Sequence, residues 1–153
     1  MKNYQQKPVE ENKDLSLNAP SVTKYMTRDL ITFTVDTEIS EVIKALLDNR
    51  ITGAPVLNEK GEVVGLIDDK DCLKILVSAA YYNHPVERDT VGNYMSNVMK
   101  SISSHDNIVD VANIFLSTPY KRLLVMDDSG KLVGQVSRRD ILRAIQELNI
   151  STW

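Results

Sequence analysis

The chain has 153 residues, 42% hydrophobic and 25% charged, enough for one ordinary globular domain. Its net charge of −3, with basic residues scattered apart from Lys121-Arg122 and Arg138-Arg139, argues against a nucleic-acid partner. No apolar run is long enough to span a bilayer, and Cys72 is the only cysteine, which precludes an internal disulfide; the expected setting is the cytoplasm, away from membranes.

Residues 1–19 are polar, mixed in charge and without periodicity, and read as a tail. Ser21 then caps a short helical turn, Val22-Thr-Lys-Tyr-Met26. A short strand is expected over Ile31–Thr34. Asp36-Thr37 is expected to cap a helix whose apolar stripe is Ile39, Val42, Ile43, Leu46 and Leu47, spaced i, i+3, i+4, i+7, i+8. Two strands follow, Ala54–Leu57 and Val63–Ile67, joined by Asn58-Glu-Lys-Gly61, where the glycine supplies the positive φ of a tight turn. A closing helix presents Leu73, Leu76, Val77 and Ala80 as its apolar face. Residues 81–89 form a linker, which Pro85 keeps from continuing the helix.

The same series then recurs at an offset of 69 residues with no gap. Thr90 precedes Val91-Gly-Asn-Tyr-Met95, and a strand is expected over Lys100–Ser103. The stripe Ile108, Val111, Ala112, Phe115 and Leu116 matches the first helix. Strands Leu123–Met126 and Leu132–Val136 flank Asp127-Asp-Ser-Gly130, and the closing helix shows Ile141, Leu142, Ile145 and Leu148. Twelve of the 55 positions from Val22 to Leu76 are identical to their counterparts. Each repeat therefore reads β-α-β-β-α, an α/β chain of the α+β kind, with repeats at 20–80 and 90–148 and a short tail at 149–153. A unit of this length is marginal alone, so the repeats are expected to share one core about a pseudo-twofold axis, with equivalent segments beside a common cleft.

The order of these features resembles a tandem pair of cystathionine-β-synthase-type (CBS) repeats, a Bateman module. The residues carrying the likeness are the Tyr-Met segments, the capped helices, Pro55-Val56, the Gly61 and Gly130 turns, and Gly-x5-Asp. The last reads Gly65-Leu-Ile-Asp-Asp-Lys-Asp71 and Gly134-Gln-Val-Ser-Arg-Arg-Asp140. The likeness covers Pro20 to about Leu148. It implies an adenosine ligand (AMP, ADP or ATP) bound by Gly-x-x-Ser/Thr-x-x-Asp, with the aspartate on the ribose hydroxyls. It also implies a regulatory role exercised through an unknown partner protein, and a homodimer formed through the helices.

The repeats differ where a ligand would sit. The second keeps Ser137 and Asp140 and offers Lys121-Arg122 toward phosphate; the first has Asp68, Asp71 and Thr52-Gly53 at those positions. A serine at the strand–helix junction and a carboxylate one turn later can point to one spot, where helix N–H groups and Arg122 favour an anion. The better cleft is therefore expected to combine Lys121, Arg122, Val136, Ser137 and Asp140 with the base-side residues Met26, Ile31, Thr32, Ile51 and Thr52 that the resemblance implies. The weaker one, Asp68 with Asp71, is either empty or takes an uncharged nucleoside or a nucleotide with Mg²⁺.

These residues also have plain structural roles: Ser137 as an N-cap, Asp71 and Asp140 as acids favoured by the helix dipole, Lys121-Arg122 as a solvated pair, Met26 as core. A dimerisation or adaptor module without a physiological ligand is thus the second reading. His84 and His105 have no metal-ligand spacing, and Cys72 is expected to be buried. No P-loop, His-Glu-x-x-His, Gly-x-Ser-x-Gly or Cys-x-x-Cys is present, and no catalytic activity is expected.

Overall fold

The computed structural model describes residues 19–83, 89–97 and 100–149, and among them no helix is long and apolar enough to cross a membrane. In chain order the strands are β1 (Phe33–Thr34), β2 (Gly53–Leu57), β3 (Val63–Asp68), β4 (Ser101–Ser103), β5 (Arg122–Met126) and β6 (Leu132–Ser137). The helices are α1 (Ile39–Asn49), α2 (Asp69–Tyr82), α3 (Ile108–Ser117) and α4 (Arg138–Asn149). Short 3₁₀ turns at Val22–Lys24 and Val91–Asn93 open the repeats, the first capped by the Ser21 hydroxyl. The expected β-α-β-β-α order holds in both repeats. Helix α2 runs two residues into the expected linker; His84 and Pro85 lie outside the described residues.

Two three-stranded sheets form, ordered β1-β2-β3 and β4-β5-β6. β1 pairs parallel with β2, and β2 antiparallel with β3, in the register Gly53↔Asp68, Ala54↔Ile67 and Val56↔Gly65. β4 runs parallel to β5, with Ile102 opposite Val125. Gly61 and Gly130 take φ of 78° and 81° in the two turns, the left-handed region where a side chain is strained.

The compact units cut across the repeats. One is built from the described residues up to Arg28, Ser101–Asp128 and the chain from Val133; the other from Asp29–Lys100 with Ser129–Leu132. Each repeat's opening segment thus packs into the unit that carries the other repeat's helices. We call these the second-repeat unit and the first-repeat unit after those helices. In the second-repeat unit, Thr27 and Gln135 exchange backbone hydrogen bonds of 2.8 and 2.9 Å along β6, and the Val22 N–H donates to Asp106 O at 2.9 Å. In the first-repeat unit, Leu66 and Ser96 exchange bonds of 2.9 and 2.8 Å along β3, and the Val91 N–H donates to Thr37 O at 2.9 Å. These segments satisfy strand edges that would otherwise be open.

The cores follow the same exchange. Val22 and Met26 are buried with Ile108, Val111, Val125 and Val136. Val91 is buried with Ile39, Val42, Val56 and Ile67, and Met95 packs against that cluster. The repeats share their interiors by trading these pieces.

Three expectations need correction. α1 is preceded by Glu38 as N-cap, with no side-chain cap bond, rather than capped by Asp36-Thr37; the Thr37 hydroxyl instead accepts from the Thr34 N–H at 3.0 Å. Leu47 and Leu116 end their helices' stripes yet are exposed, and so is Leu142 on the expected apolar face of α4. On α2 the buried residues are Cys72, Ile75 and Ala79, while Leu73, Leu76, Val77 and Ala80 face outward. Two apolar stripes lie side by side on this helix. The core takes the one whose counterparts in α4, Ile141 and Ala144, are also buried.

Candidate functional site

β6 hands over to α4 at Ser137, leaving the first N–H groups of the helix without intrahelical partners. Ser137 and Asp140 satisfy two of them reciprocally. The Asp140 N–H donates to Ser137 Oγ at 3.2 Å, and Asp140 Oδ2 accepts from the Ser137 N–H and hydroxyl, both at 2.9 Å. This is a capping box, worth about 1 kcal/mol to the helix start. The second oxygen, Oδ1, accepts from Arg143 at 3.1 Å. The Arg143 side chain is 56% exposed and that of Asp140 only 17%. The cap therefore fixes the carboxylate's orientation, while its free edge is covered by a solvent-exposed ion pair of the kind that contributes little and exchanges readily.

The other expected residues of this site divide. Lys121 lies beside the helix start, where its carbonyl accepts from the Arg138 N–H at 3.4 Å, and Arg122 opens β5 next to it. The Val136 side chain is wholly buried in the core of the second-repeat unit. Met26 is 9% exposed; a Cβ placed on Gly134 would lie 2.5 Å from its sulfur, so the thioether fills the space that glycine leaves on β6. Its place is a core position of the second-repeat unit. Ile31, Thr32, Ile51 and Thr52 belong to the first-repeat unit, where Ile31 and Ile51 pack half-buried against the core and Thr32 and Thr52 are exposed.

The first repeat builds the same box from two acids. Asp68 Oδ1 accepts from the Asp71 N–H at 2.8 Å, and Asp71 Oδ2 from the Asp68 N–H at 3.1 Å. Burial pushes the Asp71 carboxyl above its ordinary 3.8; the Asp68 N–H pulls it back, and the Asp68 charge pushes it up again. Gly53, opposite Asp68 where the second repeat has Arg122, is close-packed: a Cβ there would meet Asp68 Cβ and Ile67 O at 3.1 Å. A side chain at that position would require Asp68 and the end of β3 to give by a few tenths of an ångström. Behind Asp71, between α2 and the 3₁₀ turn at Val91–Asn93, a cavity of about 410 Å³ is lined by Lys74, Ser78, Asp89 and Tyr94 among others. At the matching place in the second-repeat unit, Glu147 accepts from the Tyr25 hydroxyl at 2.9 Å.

Burial, with Asp71, Asp68 and Asp69 nearby, holds the Cys72 thiol up at about 11, which suits a core residue rather than a nucleophile. His105 is exposed and pairs with Asp128 at 2.9 Å. Among the described residues no group of three or more His, Cys, Asp or Glu is placed to hold a metal ion. The sequence reading missed the exchange of opening segments and the Arg143 contact. Arg143 stands three residues after Asp140, a spacing that brings opposite charges together on a helix and could have revealed the contact.

Comparison with known proteins agrees with this architecture. A family profile described as "CBS domain" matches residues 22–78 and 91–147. The chloroplastic CBS domain-containing protein CBSX1 of Arabidopsis thaliana is 30% identical over 86% of this chain, and MJ1225 of Methanocaldococcus jannaschii 24% identical over 89%. The chain spans 66% of the first and 46% of the second. Among solved structures, CBSX2 in complex with AMP is 25% identical with a TM-score of 0.71, covering 84% of this chain and 98% of that one. The CBS domain pair of MJ0100, in complex with 5′-methylthioadenosine and S-adenosylmethionine, is 25% identical with a TM-score of 0.66, covering 82% and 99%. With two profile matches in register with the two repeats, the chain belongs to the CBS domain family as a tandem pair.

Proposed function

We propose that the chain is a regulatory adenine-nucleotide sensor whose main site is built on Ser137 and Asp140 and which acts by passing a change of shape to a partner protein. The observation that carries this reading is the Asp140 carboxylate, with one oxygen locked by the cap and the other covered only by the exposed Arg143. A ribose offers a pair of hydroxyl donors. They displace the guanidinium from Oδ1 and gain charge-assisted bonds to a carboxylate already aimed. The positive end of the α4 dipole, with Lys121 and Arg122, favours the α-phosphate. The complexes of CBSX2 with AMP and of MJ0100 with 5′-methylthioadenosine and S-adenosylmethionine support an adenosine ligand.

The alternative is an adaptor without a physiological ligand. The Ser137 hydroxyl and Asp140 Oδ2 already satisfy each other, so the box needs no ligand to be complete. Titration calorimetry with AMP, ADP and ATP separates the two readings. One bound nucleotide per chain is expected; absence of heat and of any thermal shift with all three leaves the adaptor.

Asp68→Ser probes the weaker site. Serine keeps the cap and removes a carboxylate from the phosphate's surroundings, so a second molecule of AMP is expected to bind at least roughly tenfold more tightly than to the parent. The Asp71 carboxyl loses one cause of its raised value and is expected to titrate lower. A raised carboxyl contributes stability that is complete below its ordinary 3.8 and lost as the pH climbs through its folded value. The substitution should therefore shrink that loss and raise the melting temperature at neutral pH relative to acid. An unchanged Asp71 titration by NMR would contradict this account.

A further inference from the structure

The cavity of about 410 Å³ beside α2 lies wholly in the first-repeat unit, whereas Ser137 and Asp140 belong to the other. Asp71, Lys74, Ile75, Ser78 and Ala79 line it at i, i+3, i+4, i+7 and i+8, so it follows one face of the helix for about two turns. Asp71, at the helix start, is only its rim. The segment that opens the second repeat supplies the remaining wall, with Asp89 and Tyr94. The volume is that of a small-molecule site.

The twin helix shows that the fold does not require this hollow. At the offset of 69 residues, Ser78 and Ala79 become Glu147 and Leu148, and Asp89 becomes Pro20. Glu147 accepts from the Tyr25 hydroxyl at 2.9 Å, and Leu148 packs against the core. Two larger side chains thus hold the place that the first repeat leaves open. The first repeat also adds a carboxylate there. Asp89 Oδ2 is buried, and the Tyr94 hydroxyl donates to the same carboxylate; burial and that bond hold the phenol above its ordinary 10.0.

Charge and shape select the occupant. The lining carries two carboxylates, Asp71 and Asp89, and one ammonium, Lys74, so an anion is disfavoured. Carboxylates gain their stronger hydrogen bonds from charged donors. Ile75 and Ala79 are both buried and give the cavity an apolar floor. We propose that the cavity binds a small aliphatic amine, with its ammonium on Asp89 and its chain over Ile75 and Ala79. The site needs neither Ser137 nor Asp140 and stands apart from the nucleotide reading.

Butylamine and putrescine are the probes. Pentanoate, the same four-carbon chain ending in a carboxylate, is the control. Calorimetry and heteronuclear NMR on the full chain read the binding. Both amines are expected to bind in the millimolar range or tighter and to shift the amide signals of Ser78, Asn93 and Tyr94; pentanoate is expected to do neither. Asp89→Asn is expected to weaken putrescine at least about tenfold. Ala79→Leu puts the twin's larger side chain into the hollow, and is expected to exclude both amines while melting at or above the parent's temperature. If the leucine does not fit, the nearly isosteric Asp89→Asn carries the test by itself. Amine binding that survives Asp89→Asn, or that pentanoate matches, overturns the proposal. Displacement of the amine by AMP overturns it too, since the cavity would then belong to a nucleotide site. A parent chain that binds AMP and neither amine overturns it and leaves the nucleotide reading standing.

Discussion

Asp140→Ala is expected to weaken AMP binding about 10- to 150-fold, the equivalent of losing a charge-assisted hydrogen bond worth ~1.5–3 kcal/mol. The substitution also breaks the capping box, at about 0.5–2 kcal/mol of stability, so a lower melting temperature accompanies the loss. Arg143→Ala separates the two effects. It removes the guanidinium from Oδ1 and leaves the bonds between Ser137 and Asp140 in place. Affinity should hold or rise, because a ribose no longer has to displace an ion pair. Calorimetry on both variants decides the matter. A parent that binds AMP and an Asp140→Ala variant that binds it equally well would move the ligand away from this carboxylate.

Met26→Ala is expected to destabilise the unit that carries Ser137 and Asp140 by about 2–5 kcal/mol, the range for truncating a buried methionine. Met26 belongs to the first repeat by sequence, yet its side chain lies over Gly134 of the second and is buried with Ile108, Val125 and Val136. Hydrogen exchange read by mass spectrometry should therefore show faster exchange in β6 and α4 and leave β2 and β3 little changed. Faster exchange confined to β2, β3 and α2 would show that Met26 supports its own repeat instead.

Much of this architecture was legible because it is written twice. The period-3.6 stripes of α1 and α3, the glycine turns and the strand pairs appear at matching positions, so each repeat confirms the other. The phase of α2 was not legible, since Cys72, Ile75 and Ala79 compete with a stronger stripe at Leu73, Leu76 and Val77. Hydrophobicity alone favours the larger side chains, and only the burial of Ile141 and Ala144 in the twin helix resolves the choice. The N-cap of α1 falls on Glu38, one residue past Thr37, whose hydroxyl is engaged by the Thr34 N–H. Ser137 and Asp140 were singled out by the resemblance to the Gly-x-x-Ser/Thr-x-x-Asp pattern, and their three-residue spacing at a helix start is what joins them in one capping box. That Val136 and Met26 turn inward depends on which segments pack together across long sequence separations, which local pattern does not encode.

The exchange of opening segments has a consequence for how the protein is made. As the chain leaves the ribosome, α1, β2, β3 and α2 are complete before Val91 and Ser96 exist, so the first half to be synthesised waits with an open strand edge and an unfilled position beside Ile39 and Val56. The earliest segment, Val22 to Thr27, waits longer still, for a strand more than a hundred residues downstream. The first-repeat unit can close only once Val91 to Ser96 have emerged, and the second-repeat unit only once β6 and α4 have been made. A ribosome stalled between the repeats would therefore hold no finished unit at all, and a nascent chain of that length should be open to proteolysis until Val91 to Ser96 emerge.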